Sequence, residues 1–159
     1  MKIIYMHHAE RNRDQSNNDF NSRQLEDITE LGVKEAKILA ERLKHQNISA
    51  IIMSPYLRCR HTAEIINEYH GLPIVYDERF NEMYRYEEWK DLLTRNMQAI
   101  DDIVSSYDDD STILCVTSGV NFSAFVCYFY GIEPSNDVPW SQAAAMSPII
   151  FTIGKKMLD

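Results

Sequence analysis

Short apolar runs alternate with helix-length amphipathic segments along most of this chain. The apolar runs fit buried strands, and the longer segments repeat their apolar residues at helical spacing. Strands are predicted at residues 2–6, 50–53, 73–76, 112–116 and 147–153, and helices at 29–44, 57–69, 86–104 and 120–130. This alternation predicts a three-layer α/β/α sandwich, with a mainly parallel central sheet of about five strands and helices on both faces.

Size, charge and cysteine content narrow the possible functions. The chain has 159 residues, which predicts one domain over residues 1–159. Its net charge of −8 argues against a nucleic-acid or anionic-membrane partner, and no apolar run is long enough to span a bilayer. The three cysteines form no CxxC pair and no metal-ligand cluster, so we expect no metal, no cofactor and a cytoplasmic location. The oligomeric state is left open.

Polar residues that can take part in chemistry follow the predicted strands. His7 and His8 follow the first strand, Arg58 follows the second, and Ser118 follows the fourth. Because the carboxyl ends of parallel strands lie at one edge of a sheet, we expect these side chains to converge there. Glu82 comes after the third strand and is expected at the same edge. A neutral imidazole is a nucleophile near neutral pH, so this edge is the candidate site.

The motifs at these strand ends resemble those of the histidine phosphatase superfamily, the phosphoglycerate-mutase-like proteins. The strongest match is SPYLRCRHTA at residues 54–63, which is similar to the family's Ser-Pro-Leu-x-Arg-Ala-x-x-Thr-Ala. HAE at 8–10 resembles Arg-His-Gly-Glu, DITELG at 27–32 with EA at 35–36 resembles Leu-Thr-x-x-Gly-x-x-x-Ala, RFNE at 79–82 resembles Leu-x-Glu, and VTSG at 116–119 stands at the place of Val-Ser-His-Gly. The order and spacing match over nearly the whole chain, and the short length resembles the family's small phosphatases.

The resemblance implies a phosphatase that acts on a small phosphorylated molecule through a phosphohistidine. It assigns the attacking imidazole to His8 and the phosphate-binding guanidinium to Arg58, whose planar fork suits two phosphate oxygens. It assigns the acid that protonates the leaving oxygen to Glu82. Phosphoryl transfer needs mainly positioning and charge neutralisation from the protein, and these three groups are suited to supply both.

Two positions depart from the family pattern. His7 stands in place of the arginine before the nucleophile, and Ser118 in place of the second histidine. Both lost groups neutralise charge on the transferring phosphoryl, and one such donor is typically worth about 10²–10³ in rate. Compensating phosphate contacts are expected from His7 and Ser118 themselves, from the N–H of Gly119 at a helix start, and from Arg11. Two interpretations stay open: a phosphatase with weak or degenerate activity, and an inactive phospho-ligand-binding or protein-interaction module on the same fold.

Two loops and an aromatic run complete the prediction. Residues 11–27 form a long polar connection that is expected to be functional, with Arg13 as a further candidate phosphate contact. Residues 131–140 form a second loop. The Tyr128-Phe129-Tyr130 run is expected to pack in the core.

Overall fold

The predicted succession of strands and helices is present in the structure, a computed structural model that describes residues 1–12, 22–135 and 147–154. The strands are β1 (Lys2–His7), β2 (Ala50–Met53), β3 (Ile74–Tyr76), β4 (Thr112–Thr117) and β5 (Ile149–Thr152). The helices are α1 (Glu30–Leu43), α2 (Leu57–Asn67), α3 (Trp89–Ser106) and α4 (Gly119–Phe129), with 3₁₀ turns at Ser22–Leu25 and Glu78–Phe80. None of these helices is both long enough and apolar enough to cross a bilayer. Residues 13–21 of the first predicted loop, which include Arg13, and residues 136–140 of the second predicted loop lie outside the described residues.

The five strands form one sheet in the order β3-β2-β4-β1-β5. Strands β1, β2, β3 and β4 run parallel to one another, and β5 pairs antiparallel with β1. The central strand is β4, and all of its residues are buried. Because β1 to β4 run the same way, their carboxyl ends share one edge of the sheet, and the segments that follow them meet there.

Two layers of apolar side chains cover the sheet, one on each face. Alternate strand residues point to opposite faces, so Ile4 and Met6 of β1 pack with the apolar residues of α1 and α2, while Ile3 and Tyr5 pack with those of α3 and α4. Removing these two layers from water is the main favourable contribution to folding. The prediction of a three-layer α/β/α sandwich with a mainly parallel sheet is confirmed.

Helix α1 begins where the sequence predicts and lies close to the segment that follows β1. Thr29 is its N-cap, and the Thr29 hydroxyl accepts from the Gly32 N–H at 3.0 Å. A Cβ at Gly32 would stand only 2.2 Å from the Glu10 carbonyl oxygen. The glycine is therefore what allows α1 to approach the backbone just beyond His8.

The aromatic run at the end of α4 is not in the core, contrary to the prediction. Tyr128, Phe129 and Tyr130 are 50%, 52% and 77% exposed. Consecutive residues of a helix point in different directions, so three in a row cannot all face the sheet. The ring of Phe129 still packs against Phe125 and Phe151, at centroid distances of 5.1 and 5.2 Å.

Candidate active site

His8 and helix α2 meet at the shared edge of the sheet. The His8 N–H donates to the Thr117 carbonyl at 2.9 Å, beyond the last pair of the β1–β4 register. The next N–H, of Ala9, donates to the Thr62 hydroxyl at 3.1 Å, and that hydroxyl donates to the Arg58 carbonyl at 2.7 Å. These hydrogen bonds join the ends of β1 and β4 and the first turns of α2 around His8.

The imidazole of His8 is buried and held in one tautomer. Its Nδ1 lies 2.7 Å from the Ala9 carbonyl oxygen. A carbonyl oxygen can only accept, so Nδ1 carries the proton and Nε2 carries the lone pair. Burial first, and then the charge of Arg58, hold the pKa of His8 well below its ordinary value of 6.5. At neutral pH, His8 is therefore an uncharged imidazole with Nε2 as its nucleophilic atom.

Arg58 is completely buried although it carries a permanent charge. Its Nη1 donates to the Arg23 carbonyl at 2.6 Å, and its Nη2 donates to the Glu82 carboxylate at 2.5 Å. Its guanidinium carbon is 4.9 Å from the centre of the Tyr56 ring. A buried charge is strongly unfavourable unless it is paired, so the burial of the Arg58 guanidinium depends on its ion pair with Glu82.

Glu82 lies between two guanidinium groups. Its Oε2 is 2.5 Å from Arg58 Nη2 and 3.6 Å from Arg11 Nη1. Arg11 also pairs with Glu26 at 2.5 Å, and it forms an isolated bridge with Ile28. Arg11 and Glu26 come from the two ends of the connection between β1 and α1. The structure thus brings the predicted acid and two predicted phosphate contacts into one cluster of alternating charge.

His7 packs against α4. Its ring is 5.7 Å from the Phe122 ring and 5.5 Å from the His8 ring, and its Nδ1 lies 2.6 Å from the His8 carbonyl oxygen. Burial lowers the pKa of His7 to about 4. His7 is therefore uncharged at neutral pH, and it does not supply the positive charge of the arginine that the family pattern has at this position.

Ser118 is engaged as the N-cap of α4. It is buried, and its hydroxyl donates to Asn121 Oδ1 at 2.7 Å and lies 3.4 Å from the Asn121 backbone nitrogen. The hydroxyl at the place of the family's second histidine is thus committed to capping a helix. Helix α4 begins with Gly119 at the same sheet edge, where the N–H groups of a helix start favour an anion.

Three buried asparagines that the sequence pattern did not single out connect the site to the core. Asn121 Nδ2 donates to the Asn81 carbonyl at 2.9 Å and to Asn96 Oδ1 at 3.2 Å, and the Tyr5 hydroxyl donates to the same Asn96 oxygen at 2.8 Å. Asn81 directly precedes Glu82, so this network ties the backbone beside Glu82 to α3 and α4. In the sequence, the feature that could have indicated this network is Asn96, a polar residue within the apolar face of α3.

The groups gathered at this edge suit an anion. In the described part of the chain, no three His, Cys, Asp or Glu side chains are arranged to hold a metal ion. The guanidiniums of Arg58 and Arg11 and the start of α4 are instead the usual partners of phosphoryl oxygens. Beside them lies the uncharged imidazole of His8, whose Nε2 takes no part in the hydrogen bond to Ala9.

Comparison with known sequences identifies the family. The sequence model of the histidine phosphatase superfamily (branch 1) matches residues 3–85, a segment that contains His8, Arg58 and Glu82 and ends before Ser118. A Yersinia pestis protein named "Probable phosphoglycerate mutase GpmB" is 39% identical over 56 residues, which are 35% of this chain and 26% of that protein. The alignment therefore spans about a quarter of that relative's length.

Solved structures share the fold at low sequence identity. YhfR from Bacillus stearothermophilus has a TM-score of 0.81 and 21% identity, over 97% of this chain and 92% of that chain. A mycobacterial glucosyl-3-phosphoglycerate phosphatase has a TM-score of 0.68 and 17% identity, over 82% and 80%. The alpha-ribazole phosphatase from Shigella flexneri has a TM-score of 0.69 and 17% identity, over 83% and 81%. With a family match over more than half of its length, this chain belongs to branch 1 of the histidine phosphatase superfamily.

Proposed function

We propose that this chain hydrolyses phosphate monoesters through a phosphohistidine at His8. The observation that carries the proposal is the state of the His8 imidazole, which is uncharged and held through Nδ1 by the Ala9 carbonyl. The Thr62 hydroxyl joins the Ala9 N–H to the Arg58 carbonyl, and the charge of Arg58 acts on this imidazole. A nucleophile and an oxyanion-binding guanidinium at one sheet edge meet two main needs of phosphoryl transfer, and family membership supports phosphatase-type chemistry.

In the first proposed step, His8 Nε2 attacks the substrate phosphorus. An N–P bond forms while the P–O bond to the leaving group breaks. Arg58 holds two non-bridging phosphoryl oxygens in its planar fork, and these oxygens take the place of Glu82 on the guanidinium. Glu82, released from Arg58, takes up a proton from solvent and gives it to the leaving oxygen, which departs as an alcohol.

In the second proposed step, water releases the phosphoryl group from His8. The Glu82 carboxylate takes a proton from a water molecule while the water oxygen attacks phosphorus. The N–P bond breaks and inorganic phosphate leaves. Glu82 returns this proton to solvent and pairs again with Arg58 as a carboxylate, and His8 is again an uncharged imidazole.

The proposed substrate is a small phosphorylated molecule. Two structural relatives are named a glucosyl-3-phosphoglycerate phosphatase and an alpha-ribazole phosphatase, which supports a small-molecule substrate. We assign the activity to a single domain over residues 1–159 and to the cytoplasm. All three cysteines are free and buried, which fits a reducing compartment.

A second candidate function is an inactive phospho-ligand-binding module. Two observations favour it: His7 is uncharged, and the Ser118 hydroxyl is committed to Asn121. Neither position then supplies the charge-neutralising group of the family pattern, and the loss of one such group typically lowers the rate by about 10²–10³. Because such losses are not additive within one site, we expect the chain to hydrolyse phosphate esters only weakly if it is a phosphatase.

Phosphohistidine trapping with an aryl phosphate separates the two functions. We expect acid-labile phosphate on the wild-type protein, none on a His8→Asn variant, and wild-type labelling of a His45→Asn variant, because His45 is an exposed residue after α1. Hydrolysis of the same substrate is measured from about pH 5 to about pH 8. If the wild type turns over no faster than His8→Asn across this range, the hydrolase proposal is wrong and the binding module is left.

A further inference from the structure

The aromatic ring of Tyr56 packs against the guanidinium of buried Arg58. Tyr56 occupies the N-cap position of α2, two residues before Arg58. Its side chain is almost completely buried, and the Arg58 guanidinium carbon lies 4.9 Å from the centre of its ring. The motif that this segment resembles has a leucine at this position. The chain therefore carries a hydroxyl where the family pattern carries only a hydrocarbon.

The hydroxyl of Tyr56 and the Nε of Arg58 share an unusual property. Over the described residues, buried side-chain polar atoms without a hydrogen-bond partner are found on Tyr56 (the hydroxyl), Arg58 (Nε) and His70 (Nε2). His70 follows α2, whereas Tyr56 and Arg58 are in contact with each other. Buried donors are nearly always paired, because an unmade hydrogen bond leaves the cost of desolvation uncompensated. Two neighbouring unpaired donors indicate a place built for an acceptor.

The Tyr56 hydroxyl is a donor under physiological conditions. Burial raises its pKa to about 12, so the phenol keeps its proton at neutral pH. The charges of Arg58 and Glu82 also act on this hydroxyl. A neutral O–H and a guanidinium N–H are both hydrogen-bond donors. An oxyanion carries no proton and can accept a hydrogen bond from each.

We propose that the Tyr56 hydroxyl donates a hydrogen bond to the phosphoryl group that Arg58 binds. This inference rests on the proposed phosphate site and adds to it a donor that the family pattern lacks. One tetrahedral anion can accept from two neighbouring donors, because it presents a different oxygen to each and forms hydrogen bonds of about 2.7–3.0 Å. Tyr56 would thereby replace part of the hydrogen bonding that is lost where Ser118 caps α4.

The test uses inorganic phosphate as the ligand and the Tyr56→Phe variant of the full chain. Removal of the hydroxyl alone is expected to raise the dissociation constant for phosphate about tenfold, measured by calorimetric titration. In phosphate-free buffer the thermal midpoint of Tyr56→Phe is expected to equal or exceed that of the wild type, because no protein hydrogen bond is lost. Tyr69→Phe is the matched control, because the Tyr69 hydroxyl bonds to exposed Glu41 on α1.

Arg58→Lys in the same titration separates this inference from the proposed function. If Arg58→Lys weakens phosphate binding and Tyr56→Phe does not, the phosphate site stands and the role of Tyr56 is rejected. If Tyr56→Phe lowers the thermal midpoint in phosphate-free buffer and leaves phosphate binding unchanged, the hydroxyl is structural and the inference is also rejected. If the wild type does not bind phosphate, or Arg58→Lys binds it as the wild type does, both proposals are overturned.

Discussion

Glu82 and Arg58 are 24 residues apart in the chain, and their side chains meet at 2.5 Å, from Oε2 to Nη2. The guanidinium is completely buried, whereas part of the Glu82 side chain is exposed. The same guanidinium is the group that the proposed reaction needs for the phosphoryl oxygens. In the proposed reaction, Glu82 and the substrate would therefore compete for Arg58, and binding of the substrate would release Glu82 to act on the leaving oxygen.

Glu82→Gln tests this competition. The amide cannot deliver a proton, so we expect turnover of an aryl phosphate to fall by about 10²-fold or more. The amide also has no charge to hold the guanidinium, so the affinity for inorganic phosphate is expected to stay the same or to rise. Turnover and phosphate binding are measured on the same preparations, with Glu64→Gln as the control because Glu64 pairs with exposed Arg60. A parallel loss of turnover and of affinity would contradict the competition.

Two arginines of α2 are expected to differ sharply in their contribution to stability. Arg58 is buried and pairs with Glu82, so Arg58→Ala empties a buried site and leaves Glu82 with only the more distant Arg11, and it is expected to lower the free energy of unfolding by about 3–5 kcal/mol. Arg60 forms an exposed pair with Glu64 one helical turn along, and Arg60→Ala is expected to cost about 0.5 kcal/mol or less. Urea denaturation of both variants measures the difference. Equal losses would show that the Arg58–Glu82 pair is not a stabilising contact of the folded protein.

Much of this site could be predicted from the sequence because its parts are local. His8, Arg58 and Glu82 each lie in the segment that follows a predicted strand, and parallel strands bring such segments together. The start of α1 was predictable from Thr29 for the same reason, since a capping side chain acts on its own helix. The catalytic roles of these residues are part of the proposed function.

The unpredicted features depend on contacts between distant parts of the chain. The hydrogen bond from Tyr5 to Asn96 joins residues 91 apart, and it exists only because α3 packs on the face of the sheet that Tyr5 occupies. The uncharged state of His7 is likewise a result of burial beside Phe122 of α4. Motif spacing carries no information on either contact, because both are set by the packing of whole helices.

Burial of His7 is expected to make the fold sensitive to acid. Its pKa is lowered from 6.5 to about 4, so the unfolded chain binds a proton here more readily than the folded one. Stability is unaffected above about pH 6.5 and falls as the pH decreases from about 6.5 to about 4, by about 3 kcal/mol from this residue at most. In urea denaturation at several pH values, His7→Gln is expected to lose less stability over this range than the wild type. His45→Gln changes an exposed residue and is the control, and its stability is expected to vary with pH as that of the wild type does. If the stability of His7→Gln varied with pH in parallel with the wild type, His7 would titrate normally in the folded state.

Restoring the two departures from the family pattern is expected to increase hydrolysis. The double variant His7→Arg, Ser118→His places a cation and an imidazole donor back beside His8, and each such group is typically worth about 10²–10³ in rate, with less than full additivity. We therefore expect an increase in turnover of an aryl phosphate of at least about a hundredfold.

Ser118→His also removes the hydrogen bond by which residue 118 caps α4 at Asn121, so a loss of about 1 kcal/mol in stability is expected and is measured alongside. Ser118→Asn in place of Ser118→His is the control, because asparagine caps a helix but offers no imidazole. An equal increase with asparagine would locate the effect in the start of α4 rather than in the restored donor, and no increase in either would favour the binding module over the hydrolase.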